Sequence, residues 1–402
     1  MRIVVVHNYY GSSAPSGENV AVETEIGMLR RAGHDVHTFI RRSDEIRSQG
    51  WRGLVRGGLA VTWNPFEAVR IRRFLRKTKP DVVHVHNTFP LISPSIFWII
   101  REFAASVLTL HNYRLFCASA LLLRDGVVCT KCLDESSVLP ALKFGCYRSS
   151  RFATFPIAQS IALHRAIGTW TSRVDAFIAV SEFQRTTLIN AGLPAARLHV
   201  KPNFFGGSRQ VLPWQERNDV AVFVGRLTQE KGVEHLIRGW LQIGANAPRL
   251  RIIGEGPLRA SLEQLAKSRG PTNIEFLGGV SSDVVIREVS VAKLMIVPSI
   301  WYEGFPIVLL EAFAAGTPCA VSNMGSLPTI VQDGVNGLIF EANDPTAIAQ
   351  LMERIWRNQP LLARLSTGAR ASLDANYTEE INHRRLMDIY GTALSQRGLR
   401  TA

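Results

Sequence analysis

Short apolar runs of strand length alternate with amphipathic stretches along almost the whole chain, and the alternation stops once and starts again. In the first half Ile3–Val6, Val36–Ile40, Asp81–His86, Val107–Leu110 and Ala176–Val180 read as strands, with helical stretches such as Val20–Ala32 and Phe66–Lys77 between them. The second half repeats the pattern with Val220–Val224, Leu250–Ile253, Ile274–Leu277, Leu294–Val297 and Cys319–Val321, interleaved with Val233–Ile243, Leu258–Ser268, Asp283–Val289 and Ile307–Ala315. Strands separated by helices predict parallel βαβ units. The break falls at Asn203–Asn218, where Gly206, Gly207, Ser208 and Pro213 interrupt the periodicity. The expectation is an α/β chain of two doubly wound, Rossmann-like domains, 1–205 and 206–377, with a helical tail over 378–402. Ligands of open parallel sheets lie beyond the carboxyl ends of the strands. Two such sheets facing each other would line a cleft, so the residues just after strands are the ones to read for chemistry.

Charge narrows the partners. The 402 residues carry 46 Lys and Arg against 33 Asp and Glu, a net +13, and such a surface seeks phosphorylated or anionic partners. Residues 41–79 alone hold eleven cations, Arg41, Arg42, Arg47, Arg52, Arg56, Arg70, Arg72, Arg73, Arg76, Lys77 and Lys79, against Asp44, Glu45 and Glu67, with Trp51 and Trp63 among them. The stretch Arg148–Arg173 mixes Arg148, Arg151, Arg165 and Arg173 with Phe152, Phe155, Ile157, Ile161, Leu163, Ile167 and Trp170. A basic amphipathic helix of this kind suits an anionic membrane face. Leu91–Leu110 is interrupted by Pro94, Arg101 and Glu102, so no spanning helix is expected. The N-terminus enters a strand without a signal-peptide pattern. The expected location is the cytoplasm, peripheral on the inner face of the membrane. Helix-turn-helix and RNA-binding signatures are lacking, so nucleic acid is not the expected partner.

The string Ser299-Ile300-Trp301-Tyr302-Glu303-Gly304-Phe305-Pro306-Ile307-Val308-Leu309-Leu310-Glu311-Ala312 follows an apolar strand. Pro306 and Gly316 suit the opening and close of a helix. Glu303 then precedes the helix and Glu311 lies within it, while the amides of Phe305, Ile307 and Val308 offer an anion site. Carboxylates accept from hydroxyls and amides take phosphate, the two halves of a nucleotide-sugar. Gly225-Arg226-Leu227-Thr228-Gln229-Glu230-Lys231-Gly232 follows the first strand of the second half. Arg226 can grip two phosphate oxygens and Lys231 acts as a point charge. Gly254-Glu255-Gly256 follows the next strand and allows close backbone approach.

These strings resemble the E-x7-E and Gly-Arg-Leu-x-x-x-Lys-Gly motifs of the retaining family 4 glycosyltransferases, which have the GT-B fold. The resemblance implies a donor nucleotide-diphosphate sugar held by Gly225, Arg226, Lys231, Gly254, Glu255, Gly256, Glu303, Gly304, Phe305, Pro306, Ile307, Val308 and Glu311. It implies transfer with retained configuration to a glycan or lipid-linked acceptor, and a tail helix that crosses back to the first domain. It assigns catalytic roles to Glu303, Arg226 and Lys231, and to His111 in Thr109-Leu110-His111-Asn112, near the transferred sugar. Gly17 and Glu18 in Ala14-Pro15-Ser16-Gly17-Glu18-Asn19 stand where the family often has Gly-Gly, and His86 and Asn87 end the third strand; all four are candidates for the acceptor or a phosphate. Asp-x-Asp, the metal-holding pair of the other major glycosyltransferase fold, does not occur, so no cofactor is expected for catalysis. Another GT-B enzyme, such as a nucleotide-sugar epimerase or a phosphorylase, is the second reading, and a zinc-containing nucleic-acid-binding protein the third.

Four of the five cysteines, Cys117, Cys129, Cys132 and Cys146, fall within the segment 115–150. Four thiolates with a C-x2-C pair suit tetrahedral zinc, and a structural zinc is the expected role. Buried or free thiols and a redox pair are the other options.

Overall fold

The computed structural model describes residues 1–11, 16–47, 57–58, 60–207, 209–268 and 273–398. Ala14, Pro15, Trp51, Arg52, Arg56 and Ser208 lie outside the described residues, as does the side chain of Arg47. The chain divides into two units, one of Met1–Leu122, Cys129–Asn203 and Glu380–Ala402, the other of Leu123–Val128 and Phe204–Glu379.

The first unit is built on a parallel sheet of β1 (Arg2–Tyr9), β2 (Asp35–Arg42), β3 (Val82–Asn87), β4 (Ala105–Leu110), β7 (Ala176–Ala179) and β8 (Leu198–Val200), in the order β2-β1-β3-β4-β7-β8. The two-stranded hairpin of β5 (Leu123–Arg124) and β6 (Val127–Val128) lies between β4 and β7 in the chain but falls in the second unit. All six residues of β3 and of β4 are buried. This explains their near-continuous apolar sequence, as expected for parallel strands covered on both faces. Helix Pro65–Thr78 opens with Asn64 accepting from the Glu67 amide and closes at Lys79 in the left-handed conformation. Helix Glu379–Gln396 belongs to this unit through Glu380–Ala402. Its Tyr390 hydroxyl meets His84 Nδ1 at 2.8 Å, and Asn382 accepts from Lys201 at 3.0 Å.

The second unit has β9 (Asn218–Val224), β10 (Arg249–Ile253), β11 (Ile274–Gly278), β12 (Ala292–Val297), β13 (Cys319–Ser322) and β14 (Gly337–Phe340), all parallel, in the order β11-β10-β9-β12-β13-β14. Helix Val233–Ile243 carries the fully buried Trp240, whose indole N–H donates to Pro248 O at 2.8 Å. It packs on helix Pro345–Trp356 at Gly239, where a Cβ would come within 2.8 Å of Pro345 O. Two parallel α/β sheets are what the alternating pattern predicts. The edge strands β8 and β14 are additions, each only three or four residues long. In both units the sheet order turns back beside the first strand, between β1 and β3 and between β9 and β12. Such switch points are where open α/β sheets bind ligands.

Candidate functional site

In the second unit the loops after β9 and β12 meet at the switch point. Lys231 ends a single 3-10 turn, Gln229–Lys231, and Gly232 follows at φ 66°. A Cβ on Gly232 would lie 1.9 Å from Pro298 O, so only glycine lets the Lys231 loop press against the end of β12. That contact brings Lys231 Nζ to 2.6 Å from Glu303 Oε1, with the side chains 20% and 6% exposed. Ser299 Oγ donates to the same oxygen at 2.7 Å, and Ser326 Oγ donates to Glu303 O at 2.8 Å. Glu303 is therefore held from both ends before any ligand arrives.

Helix Ile307–Ala314 starts at the first residue of the helical stretch read from the sequence, with Pro306 outside it as the N-cap. The fixed φ of proline still pre-sets the entry, and the first amides, Ile307 and Val308, have no preceding turn to pair with. Leu309, Leu310, Ala312, Phe313 and Ala314 are buried. Glu311 lies half-buried; burial pushes its carboxyl up, and Arg209 opposes that shift. Arg209 Nη1 donates to Glu311 O at 3.0 Å while its guanidinium lies over Phe205 at 4.8 Å. Phe305 is buried with its ring edge-on to Tyr377, 5.4 Å away, and Gly304 is buried beside it.

The remaining donor-site candidates are placed differently. Arg226 is 55% exposed and pairs with Glu230 at 3.3 Å. Gly225 N–H donates to Ile253 O at 3.0 Å and Leu227 N–H to Glu255 O at 2.9 Å. These bonds tie the loops after β9 and β10 together. A Cβ on Gly254, at φ 145°, would sit 1.9 Å from Gly225 O, and one on Gly256 2.3 Å from Leu227 O. Both glycines let the two loops pack on each other. Glu255 is bonded to Arg259 and accepts from the Gly279 amide at 3.0 Å.

The first unit gathers a second polar cluster at its own switch point. Glu25, on helix Gly17–Arg31, is 4% exposed. Its carboxylate faces Lys201 Nζ at 2.8 Å, His84 Nδ1 at 3.0 Å and His86 Nε2 at 3.2 Å, the two imidazole contacts both to Oε1 and neither with the alignment of a hydrogen bond. Burial alone would raise the Glu25 pKa, but Lys201 and His84 hold it well below the usual value. His86 Nδ1 lies 3.0 Å from His111 Nε2, with the rings stacked at 5.3 Å. Burial lowers His86 to about 4 and, with His86 beside it, holds His111 well below the ordinary imidazole value. His111 is therefore neutral at pH 7, a hydrogen-bond partner and not a cation. His86, Asn87, Thr109, His111 and Arg114 help line a cavity of about 70 Å³.

Asn87 is occupied by backbone, donating to Asn8 O at 3.2 Å and accepting from the Phe89 amide at 2.8 Å. Gly17 opens the first helix and is exposed. Glu18 Oε2 accepts from Asn112 at 3.3 Å and Tyr10 at 3.4 Å, while Oε1 is buried without a partner. Burial pushes this carboxyl up to about 7. Among the described residues, Glu25, His84 and His86 are the one group of three His, Cys, Asp or Glu ligand atoms within 4.8 Å of one another. The four cysteine sulfurs are not drawn together that closely. They are near enough to influence one another, since burial and then Cys117, Cys146 and Cys129 push the Cys132 thiol up to about 11.

Sequence reading missed Glu25, His7, Lys201 and Arg209. His7 was accessible to it, standing at the end of β1, where it contacts Asn19 at 3.0 Å. Arg209 sits in the stretch read as a linker. Glu25 and Lys201 carry no local signal at all.

Comparison with known proteins follows the same division. The model for Glycosyltransferase Family 4 matches residues 15–205, and that for Glycosyl transferases group 1 matches residues 206–372. An uncharacterised glycosyltransferase of Methanocaldococcus jannaschii is 32% identical over 192 residues, 47% of this chain and 49% of the relative. A D-inositol 3-phosphate glycosyltransferase of Salinispora arenicola is 32% identical over 203 residues, 48% of this chain and 45% of the relative. The chain thus spans about half the length of the curated relatives it matches. Among solved structures, Anabaena HepE in complex with UDP and glucose superposes with a TM-score of 0.66 at 15% identity, covering 96% of this chain and 98% of that one. Sucrose-phosphate synthase of Thermosynechococcus elongatus gives 0.67 at 17%, covering 98% and 99%. Matched over residues 15–372 by two glycosyltransferase models and folded as its solved neighbours are, the chain belongs among the GT-B glycosyltransferases of group 1.

Proposed function

We propose that this protein is a retaining glycosyltransferase. It moves a sugar from a nucleotide-diphosphate sugar to a hydroxyl of a glycan or lipid-linked acceptor, in envelope or exopolysaccharide synthesis, without a catalytic metal. The observation that carries the reading is the Lys231–Glu303 pair beside the start of helix Ile307–Ala314. A cation, a carboxylate and unpaired amides at one switch point match the phosphate and hydroxyl groups of such a donor. The relatives named for glycosyl transfer, and HepE with UDP and glucose, support it.

In the reaction the bond from the sugar anomeric carbon to the diphosphate oxygen breaks and one to the acceptor oxygen forms. The acceptor proton passes to the departing phosphate. Negative charge grows on the diphosphate, where Lys231, Arg226 and the amides of Ile307 and Val308 are most effective as preorganised donors. Glu303 and Glu311 accept from hydroxyls of the donor. Attack from the face the diphosphate leaves gives retained configuration with no protein nucleophile. The test is a panel of nucleotide-sugars scored by thermal shift, then acceptor trials with the best donor and NMR of the product's anomeric centre. Acceptor-dependent nucleotide release with the donor's configuration supports the reading. An altered nucleotide-sugar with no new glycoside would favour the epimerase alternative.

The cysteine insertion is proposed as a zinc-stabilised element. Cys117, Cys129, Cys132 and Cys146 offer the donor type zinc prefers, and the metal would cross-link the segment without entering the reaction. Cys129→Ser is expected to lower bound zinc and the unfolding temperature more than turnover, read by elemental analysis and calorimetry. Gently purified protein free of zinc would reject the assignment.

A further inference from the structure

We infer that the apolar residues standing out from the cysteine insertion and the helix after it form a wedge that enters the interface of an anionic lipid bilayer. Helix Arg151–Ala166 has two distinct faces. Thr154, Ile157, Ala158 and Ile161 are buried, whereas Phe152 is 95% exposed and Phe155, one turn on, 57%. Of the apolar stripe the sequence offered as membrane-facing, Ile157, Ile161 and Trp170 are core, and Leu163 and Ile167 are half-buried. The two phenylalanines are its exposed members.

They do not stand alone. Leu139, on the short helix Leu139–Phe144 that packs against this one, is 69% exposed. The chain at 61–63 runs beside the same helix, with Thr62 Oγ1 donating to Pro156 O at 3.2 Å and Ser160 Oγ to Val61 O at 3.1 Å. Directly after that contact Trp63 is 42% exposed and Phe66 71%. By contrast, among the described residues of the second unit the exposed large hydrophobics are Val127 and Val335 alone. Isolated exposed apolar residues need no explanation, but a cluster of aromatic ones does.

Charge selects the occupant. From Ser136 to Val174 there is no Asp or Glu, while Lys143, Arg148 and Arg151 are exposed around the phenylalanines. In the chain the stretch is bounded by Asp134 and Glu135 before it and Asp175 after it, and the carboxylate of Glu67, next to Phe66, is buried in ion pairs with Arg41 and Arg70. Aromatic side chains ringed by cations fit the headgroup and upper acyl region of an anionic bilayer, where each basic residue adds attraction that salt screens. Among the described residues no helix is long and apolar enough to cross a membrane, so the contact is with one leaflet. Its purpose rests on the transferase reading, since a lipid-linked acceptor is presented at such a surface.

The test is flotation of the full chain with vesicles of equal parts phosphatidylcholine and phosphatidylglycerol, and with phosphatidylcholine alone, without donor or acceptor. The wild type is expected to float with the anionic vesicles, less so at high salt, and brominated lipid to quench part of its tryptophan emission, a part that Trp63→Phe removes. The Phe152→Ser, Phe155→Ser double variant should lose roughly tenfold or more in partition, while Arg148→Ala, Arg151→Ala should remove the preference for anionic lipid. Both variants should keep nucleotide binding by thermal shift. Wild type that stays in solution with both vesicles overturns the wedge. So does a stable dimer in light scattering that the phenylalanine variant dissolves, because a second protein then covers the face. Because vesicle binding is read without donor or turnover, it can fail while the transferase reading holds, and the reverse.

Discussion

Glu303→Gln is expected to lower transfer by at least about a hundredfold, the scale of one preorganised transition-state contact, with little loss of fold. The amide keeps the volume of the carboxylate and can still accept from Lys231 and Ser299, whose bonds of 2.6 and 2.7 Å place the present oxygen. The Ser326 bond to the Glu303 backbone is untouched. What is lost is charge, both as an acceptor for a sugar hydroxyl and as the partner that fixes Lys231. Lys231→Ala should show a loss of the same order in turnover and weaken diphosphate binding, though with a stability cost, because it leaves a 6% exposed carboxylate with fewer partners. Steady-state kinetics beside calorimetry separates the two effects. If both variants unfold early yet the folded fraction turns over normally, the pair is structural and the assignment fails.

Acid should destabilise the first unit before the second. Burial lowers His7 to about 3 and His86 to about 4, and holds His111 well below 6.5. A base with a depressed folded pKa binds fewer protons than its unfolded counterpart below the unfolded pKa, so stability is lost as pH falls from about 6.5 towards 4. For His86 the full difference is of the order of 3 kcal/mol, a large part of a typical domain's stability of about 5–15 kcal/mol. Glu25, with its lowered pKa, adds to the loss only below about 4.5. Glu18 acts in the opposite sense: its folded pKa of about 7 costs stability as pH rises from about 4.5 to 7. One carboxyl does not offset three imidazoles, so the net slope favours neutral pH. Hydrogen exchange at about pH 5 and pH 7.5, after correction for intrinsic rates, should show protection falling in β1 and β3 while β9 and β12 hold. Equal protection at both pH values would contradict the buried neutral histidines.

The chemistry of the second unit is legible in the chain because its parts are local. Gly225 to Gly232 and Ser299 to Glu311 are each continuous strings after a strand, and the parallel sheet sets their neighbours. The cluster of the first unit is not local. Glu25, His84, Lys201 and Tyr390 come from a helix, a strand, a loop after an edge strand and the C-terminal helix, and only the folded sheet unites them. Arg209 was hidden by its setting among glycines, which read as linker. In helix Arg151–Ala166 apolar residues fall on more than one face, with Pro156 inside, so hydrophobicity alone could not tell the buried face of Ile157 and Ile161 from the exposed one of Phe152 and Phe155.

The most direct test of the donor site is a crystal of this protein soaked with the nucleotide-sugar that best raises its unfolding temperature. The account predicts diphosphate oxygens within hydrogen-bond reach of Lys231 Nζ and of the Ile307 and Val308 amides, with a sugar hydroxyl on a carboxylate of Glu303 or Glu311. A nucleotide bound elsewhere, with the Lys231–Glu303 pair unchanged and both glutamates remote from the sugar, would contradict it.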